Sequence, residues 1–71
     1  MATYQVIYTR HAEGWTAELL APSSLTLSRS SLAETQAAMR GAAAPWLALE
    51  PGEFELEELI DAGERQYARL A

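Results

Sequence analysis

Three groups of residues in this chain have types and spacings that suit chemistry. The stretch "RHAEGW", Arg10 to Trp15, holds the only histidine, a carboxylate and a tryptophan within six residues. His11 and Glu13 would form an acid/base pair for any substrate within hydrogen-bond reach of both. Trp15 would offer a stacking surface, and Gly14 would let another backbone approach closely. Glu53, Glu55, Glu57 and Glu58 form a second, denser acidic group, with oxygen donors of the kind that bind divalent cations or face a basic protein. Glu18 and Glu34 are the third group, isolated carboxylates that suit contact with a basic surface.

Each group also has a plainer reading. A lone histidine at a loop tip needs no catalytic role, and Trp15 alternates with Ala17 and Leu19, which makes it a core residue. Glu34 suits a helix cap, and solvated carboxylates keep a small protein soluble.

Composition narrows the choice. The chain has 71 residues and no cysteine, so disulfides, thiolate zinc sites and cysteine nucleophiles are excluded. Ten acidic residues against five basic give a net charge of −5, the wrong sign for general nucleic-acid binding. One domain spanning residues 1–71 is expected. A core this small buries only about 60% of the unfolded chain's surface, which favours a homodimer or higher oligomer. Neither a membrane span nor a signal-peptide core is recognisable, which makes the cytoplasm the default location.

The elements that must position these residues follow from pattern. "TYQVIYTR" is a strand rich in β-branched and aromatic residues, and "GWTAELL" alternates in the same way up to Pro22. Between them "HAEG" predicts a hairpin with Gly14 at positive φ. Leu25 and Leu27 alternate with Thr26 and Ser28, which predicts a short third strand and completes a meander.

"SLAE" predicts a capping box, in which the Ser31 hydroxyl accepts from the Glu34 N–H and the Glu34 carboxylate reaches back to the Ser31 N–H. The helix that follows carries Leu32, Met39, Ala43, Trp46 and Leu47 as one apolar stripe expected to lie across the sheet. Pro45 predicts a kink between Gly41 and Pro45, or two helical pieces.

The segment "FELEELI" suits a strand through Phe54, Leu56 and Ile60, and a helix through Leu56, Leu59 and Ile60. A second capping box, Asp61 with Glu64, arbitrates for a fourth strand over 53–60 and a short terminal helix in which Tyr67 and Leu70 look inward. Were 53–60 a strand, Glu55 and Glu57 would share a face and mark an oligomer edge, or guard an open edge by repulsion. The expected class is α+β, in the order βββαβα.

This order resembles the HicB-like antitoxin domain over about Tyr4 to Leu49. The resemblance rests on Glu13, Gly14 and Trp15 at the hairpin, on Ser31, Leu32, Ala33, Glu34 and Thr35 at the helix start, and on Trp46 and Leu47 at its end. The chain departs from the family at "APSSLTLS", which keeps Pro22 but lacks the usual glycine and cysteine, and at Pro45.

The resemblance implies a non-catalytic interaction domain that binds and masks a small basic RNA-cleaving toxin, with no metal and no cofactor. Glu13, Glu18, Glu55 and Glu57 become the partner-binding candidates, while Gly14, Trp15, Ser31, Glu34 and Trp46 are structural. With room for only a short helix after the fourth strand, no separate DNA-binding domain and no autonomous operator binding are expected. Two alternatives stay open: a stand-alone oligomerising or adaptor module without a toxin, and a metal-dependent nuclease, since the fold is sometimes regarded as a reduced relative of RNase H.

Overall fold

The computed structural model describes residues 2–21, 24–63 and 66–69, with the side chains at 62, 63, 66 and 67 left aside. Five strands form one sheet: β1 (Ala2–His11), β2 (Gly14–Leu19), β3 (Leu25–Arg29), β4 (Phe54–Gly63) and β5 (Gln66–Arg69). A single helix, α1 (Leu32–Leu47), follows β3, and a 3-10 turn at Pro51–Glu53 leads into β4. The spatial order is β3-β2-β1-β4-β5.

The meander forms as its alternation predicts. β1 and β2 pair antiparallel from Val6 opposite Leu19 to His11 opposite Gly14, and β2 and β3 pair from Trp15 opposite Arg29 to Leu19 opposite Leu25. Val6, Tyr8, Ala17 and Leu19 therefore share one face, where they are fully buried with Met39 and Ala43 of α1. Trp15 is half-buried against this core, as are Leu25, Leu27, Leu32 and Leu47.

Gly14 has φ +148°, and a Cβ there would lie 2.4 Å from the Arg29 carbonyl oxygen. The hairpin thus needs glycine twice, for its backbone angle and for the close approach of β3.

Helix α1 starts where its cap predicts. Only half of the predicted box forms: the Ser31 hydroxyl accepts from the Glu34 N–H at 3.1 Å, but the Glu34 carboxylate accepts from the Ser30 hydroxyl at 3.2 Å in place of the Ser31 N–H. Thr35, absent from the predicted stripe, is fully buried and donates to the Ser31 carbonyl at 2.7 Å, so its hydroxyl is satisfied. Trp46, expected to face inward, is 47% exposed. The helix is one uninterrupted element, because Pro45 falls in its last turn and only two helical residues follow it. Ala48 then takes the left-handed conformation, and the Ala48 and Leu49 N–H groups donate to the Pro45 and Ala44 carbonyls.

The largest correction concerns the C-terminal region. The fourth strand forms but continues to Gly63, and Gln66–Arg69 returns antiparallel to it in place of the expected terminal helix. Asp61 pairs with Tyr67 inside that hairpin, with a register shift between Asp61 and Gly63. Backbone pairing along β4 outweighs the capping propensity of Asp61, because one edge of β4 is held by β1 and the other needs a partner. Glu64 and Leu70, and with them part of the predicted cap and the inward-looking Leu70, lie outside the described residues, as does Pro22.

Gly14 and Gly41 should respond oppositely to substitution. Gly14→Val is expected to destabilise by about 2–4 kcal/mol through positive φ and the clash with Arg29. Gly41 lies in mid-helix, where an added Cβ would meet no heavy atom within 4 Å, and its conversion to alanine should gain about 0.5–1 kcal/mol. Urea denaturation of both variants checks the pair.

Candidate functional site

The sheet has two faces of different character. On one, α1 packs against β2 and β3, leaving Leu56 and Ile60 of β4 partly buried beside the core. Strand alternation places Glu58 on this same inner face, opposite Val6 in the β1–β4 register. A carboxylate there must be satisfied or it would be strongly unfavourable. Tyr8 of β1 donates its hydroxyl to Glu58 Oε2, and Arg40 of α1 donates to Glu58 Oε1. The Glu58 side chain is 12% exposed and that of Arg40 is 57% exposed, so the pair lies at the rim of the core. Burial, followed by the adjacent Glu58 carboxylate, raises the Tyr8 phenol above its ordinary range. The hydrogen bond to Glu58 likewise raises Arg40.

This cluster joins three elements and was missed in the sequence, where Glu58 looked like one more member of an acidic run. The available signal was parity. Glu58 sits between Leu56 and Ile60 in a strand whose even positions face inward, so it needed partners.

The other face carries no helix among the described residues. One row across it runs Thr26, Glu18, Ile7, Leu59 and Arg69, from β3 to β5. Glu57 and Gln5 are opposite one another in the next row, and Glu55 and Thr3 in the one beyond. Gln5 Nε2 donates to Glu57 Oε1 at 2.8 Å, and Arg69 pairs with Glu57 Oε2 at 3.2 Å. A groove of about 400 Å³ is lined by Ile7, Leu59, Leu20, Gln5, Glu18 and Asp61. Leu20 is 44% exposed.

Of the four partner-binding candidates, the fold brings Glu18, Glu55 and Glu57 onto this helix-free face. Glu13 lies apart, in the exposed turn between β1 and β2. There, with His11, Trp15 and Arg29, it borders an open hollow of about 350 Å³ at the end of the sheet. β5 pairs with β4 only from Leu59 onward, so Glu55 and Glu57 lie on the open face and also on a stretch of β4 whose second edge has no strand partner among the described residues.

Among the described residues, no three of His, Asp and Glu are grouped to hold a metal ion, and no helix is long and apolar enough to cross a membrane. What the arrangement offers is an acidic sheet face with a groove and apolar residues at its middle. No family model, curated protein or solved structure matches this chain.

The Tyr8–Glu58–Arg40 cluster has a measurable consequence. Because folding raises the phenol pKa, the neutral form is favoured in the native state. Its contribution is therefore fully present below the unfolded tyrosine value of about 10 and is lost as pH rises above it. Stability should fall from about pH 10 upward, and Tyr8→Phe should flatten that part of a pH-resolved denaturation profile. Glu58→Ala, which strips the partner from the Tyr8 hydroxyl, should cost about 1–3 kcal/mol near neutral pH.

Proposed function

We propose that this protein is a non-catalytic, HicB-like interaction domain of the cytoplasm that binds and masks a small basic protein of the RNA-cleaving toxin class. The gathering of Glu18, Glu55 and Glu57 on the face that α1 leaves uncovered carries the reading. In a chain of net charge −5, such a surface attracts a cationic partner and speeds its encounter, more than it raises affinity.

The order of a three-strand meander, a capped helix and a further strand supports the same reading. The domain is proposed to act as a homodimer or higher oligomer. β3, at one border of the sheet, offers one edge for strand pairing between copies.

His11 has no role in this function. His11→Ala should therefore leave both partner binding and folding unchanged, and loss of either would return the hairpin to consideration as a site.

Co-expression with the neighbouring reading frame is the direct test. A small basic ribonuclease encoded there should co-purify with this chain and lose its activity in the complex. Charge reversal at Glu18 and Glu55 should slow association about tenfold at low salt and have less effect at high salt. If the neighbouring frame encodes no basic protein, or its product neither binds nor is inhibited, the masking function is wrong.

A further inference from the structure

The central pair of the sheet, β1 with β4, is parallel. Parallel strands are characteristically covered on both faces, because their crossovers place helices there and their residues are apolar on both sides. Here the inner face is covered, and the outer face has nothing over it among the described residues. Ile7 and Leu59, directly opposite each other in the β1–β4 register, lie in the groove on that outer face with Leu20 beside them. Apolar residues thus occupy one row of this open side, with Gln5 and Glu57 in the next.

We propose that the missing layer is supplied by an amphipathic helix of a basic partner, lying along the β1–β4 seam. Its apolar stripe covers Ile7 and Leu59, and arginine or lysine on its flanks faces Glu18 and Glu55. The dimensions agree: a helix is about 10 Å across and strands are about 4.8 Å apart, so one helix centred on the seam covers β1 and β4, and the long side chains on its flanks extend toward β2 and β5.

A second copy of this chain is a poorer occupant. Stacking two such faces would set carboxylate against carboxylate, and the guanidinium of Arg69 is already engaged by Glu57. The inference rests on the proposed binding of a basic protein and adds where and by what element that protein docks.

The test uses the full chain and two synthetic helical peptides, one of leucine and arginine and one of leucine and glutamate with the same spacing. In a titration followed by backbone NMR, the arginine peptide should shift the amides of Ile7, Glu18 and Leu59, and the glutamate peptide should not. Ile7→Thr and Leu59→Thr, which keep strand-compatible side chains, should each weaken the arginine peptide about tenfold. Their unperturbed spectra elsewhere would show that the fold is retained.

Shifts centred on α1 or on the hairpin end, equal binding of both peptides, or contacts between copies through Ile7 and Leu59 would each overturn the inference. The two readings fail separately. If the arginine peptide binds the seam but no co-encoded basic protein is masked, the function is wrong and the surface stands. If such a protein is masked while Ile7 and Leu59 remain unperturbed, the surface is wrong and the function stands.

Discussion

The structure depends on the requirement that β1 be paired along both edges. One edge is taken by β2 through a tight hairpin, which costs little chain. The other is taken by β4 running parallel, and a parallel partner cannot be reached by a short turn. The chain must cross over a face of the sheet and return, and α1 is that crossover. Placing the helix above β2 and β3 buries Val6, Tyr8, Ala17 and Leu19 beneath Met39 and Ala43. A single crossover covers a single face, so the same requirement that builds the core leaves Ile7, Leu59 and the neighbouring carboxylates on a face that nothing covers among the described residues.

Glu58 shows how the crossover is fastened to the strand it delivers. Apolar residues would satisfy the inner face of β4 more simply, and a buried ion pair contributes little stability over a hydrophobic equivalent. Its geometry is specific, however. The carboxylate takes a phenol from β1 and a guanidinium from α1, with one oxygen to each. A shift of β4 by one residue would turn Glu58 to the outer face and bring Glu57 or Leu59 inward, separating the carboxylate from Tyr8 and Arg40. The cluster therefore favours one register for a strand whose outward positions, Glu55 and Glu57, are too polar to enforce it by burial.

Much of this was legible in the sequence, and the parts that were not share a cause. The meander, the glycine in its hairpin and the start of α1 are local: alternation, positive φ and a side-chain cap are each decided within a few residues. The end of α1 was misjudged because the cost of Pro45 depends on how many helical residues follow it. The terminal helix was misjudged because a cap-like Asp61 is a weak local preference, whereas the free edge of β4 is a tertiary demand invisible before the strand order is known. For the same reason Glu55, Glu57 and Glu58 read as one acidic run. The sheet separates them, sending two to the outer face and one to the core. Glu13 and Glu18, only five residues apart, are likewise parted, one into a turn and the other onto the face.

The acidic composition has a structural effect apart from any partner. An uncovered sheet face with apolar residues at its centre tends to associate with its own kind, since stacking two copies would bury Ile7, Leu59 and Leu20 together. Carboxylates around those residues oppose that stacking, because each would be desolvated against a like charge. The cost of solubility is small, as a charge of −5 on 71 residues is within the range a small domain tolerates. The surface is thus discriminating by sign. It resists a second acidic face, while a cationic surface of matching shape relieves the repulsion and gains the apolar contact as well. Attraction of a proposed cationic partner and rejection of an acidic one would then come from the same side chains, a route to specificity that needs no deep pocket.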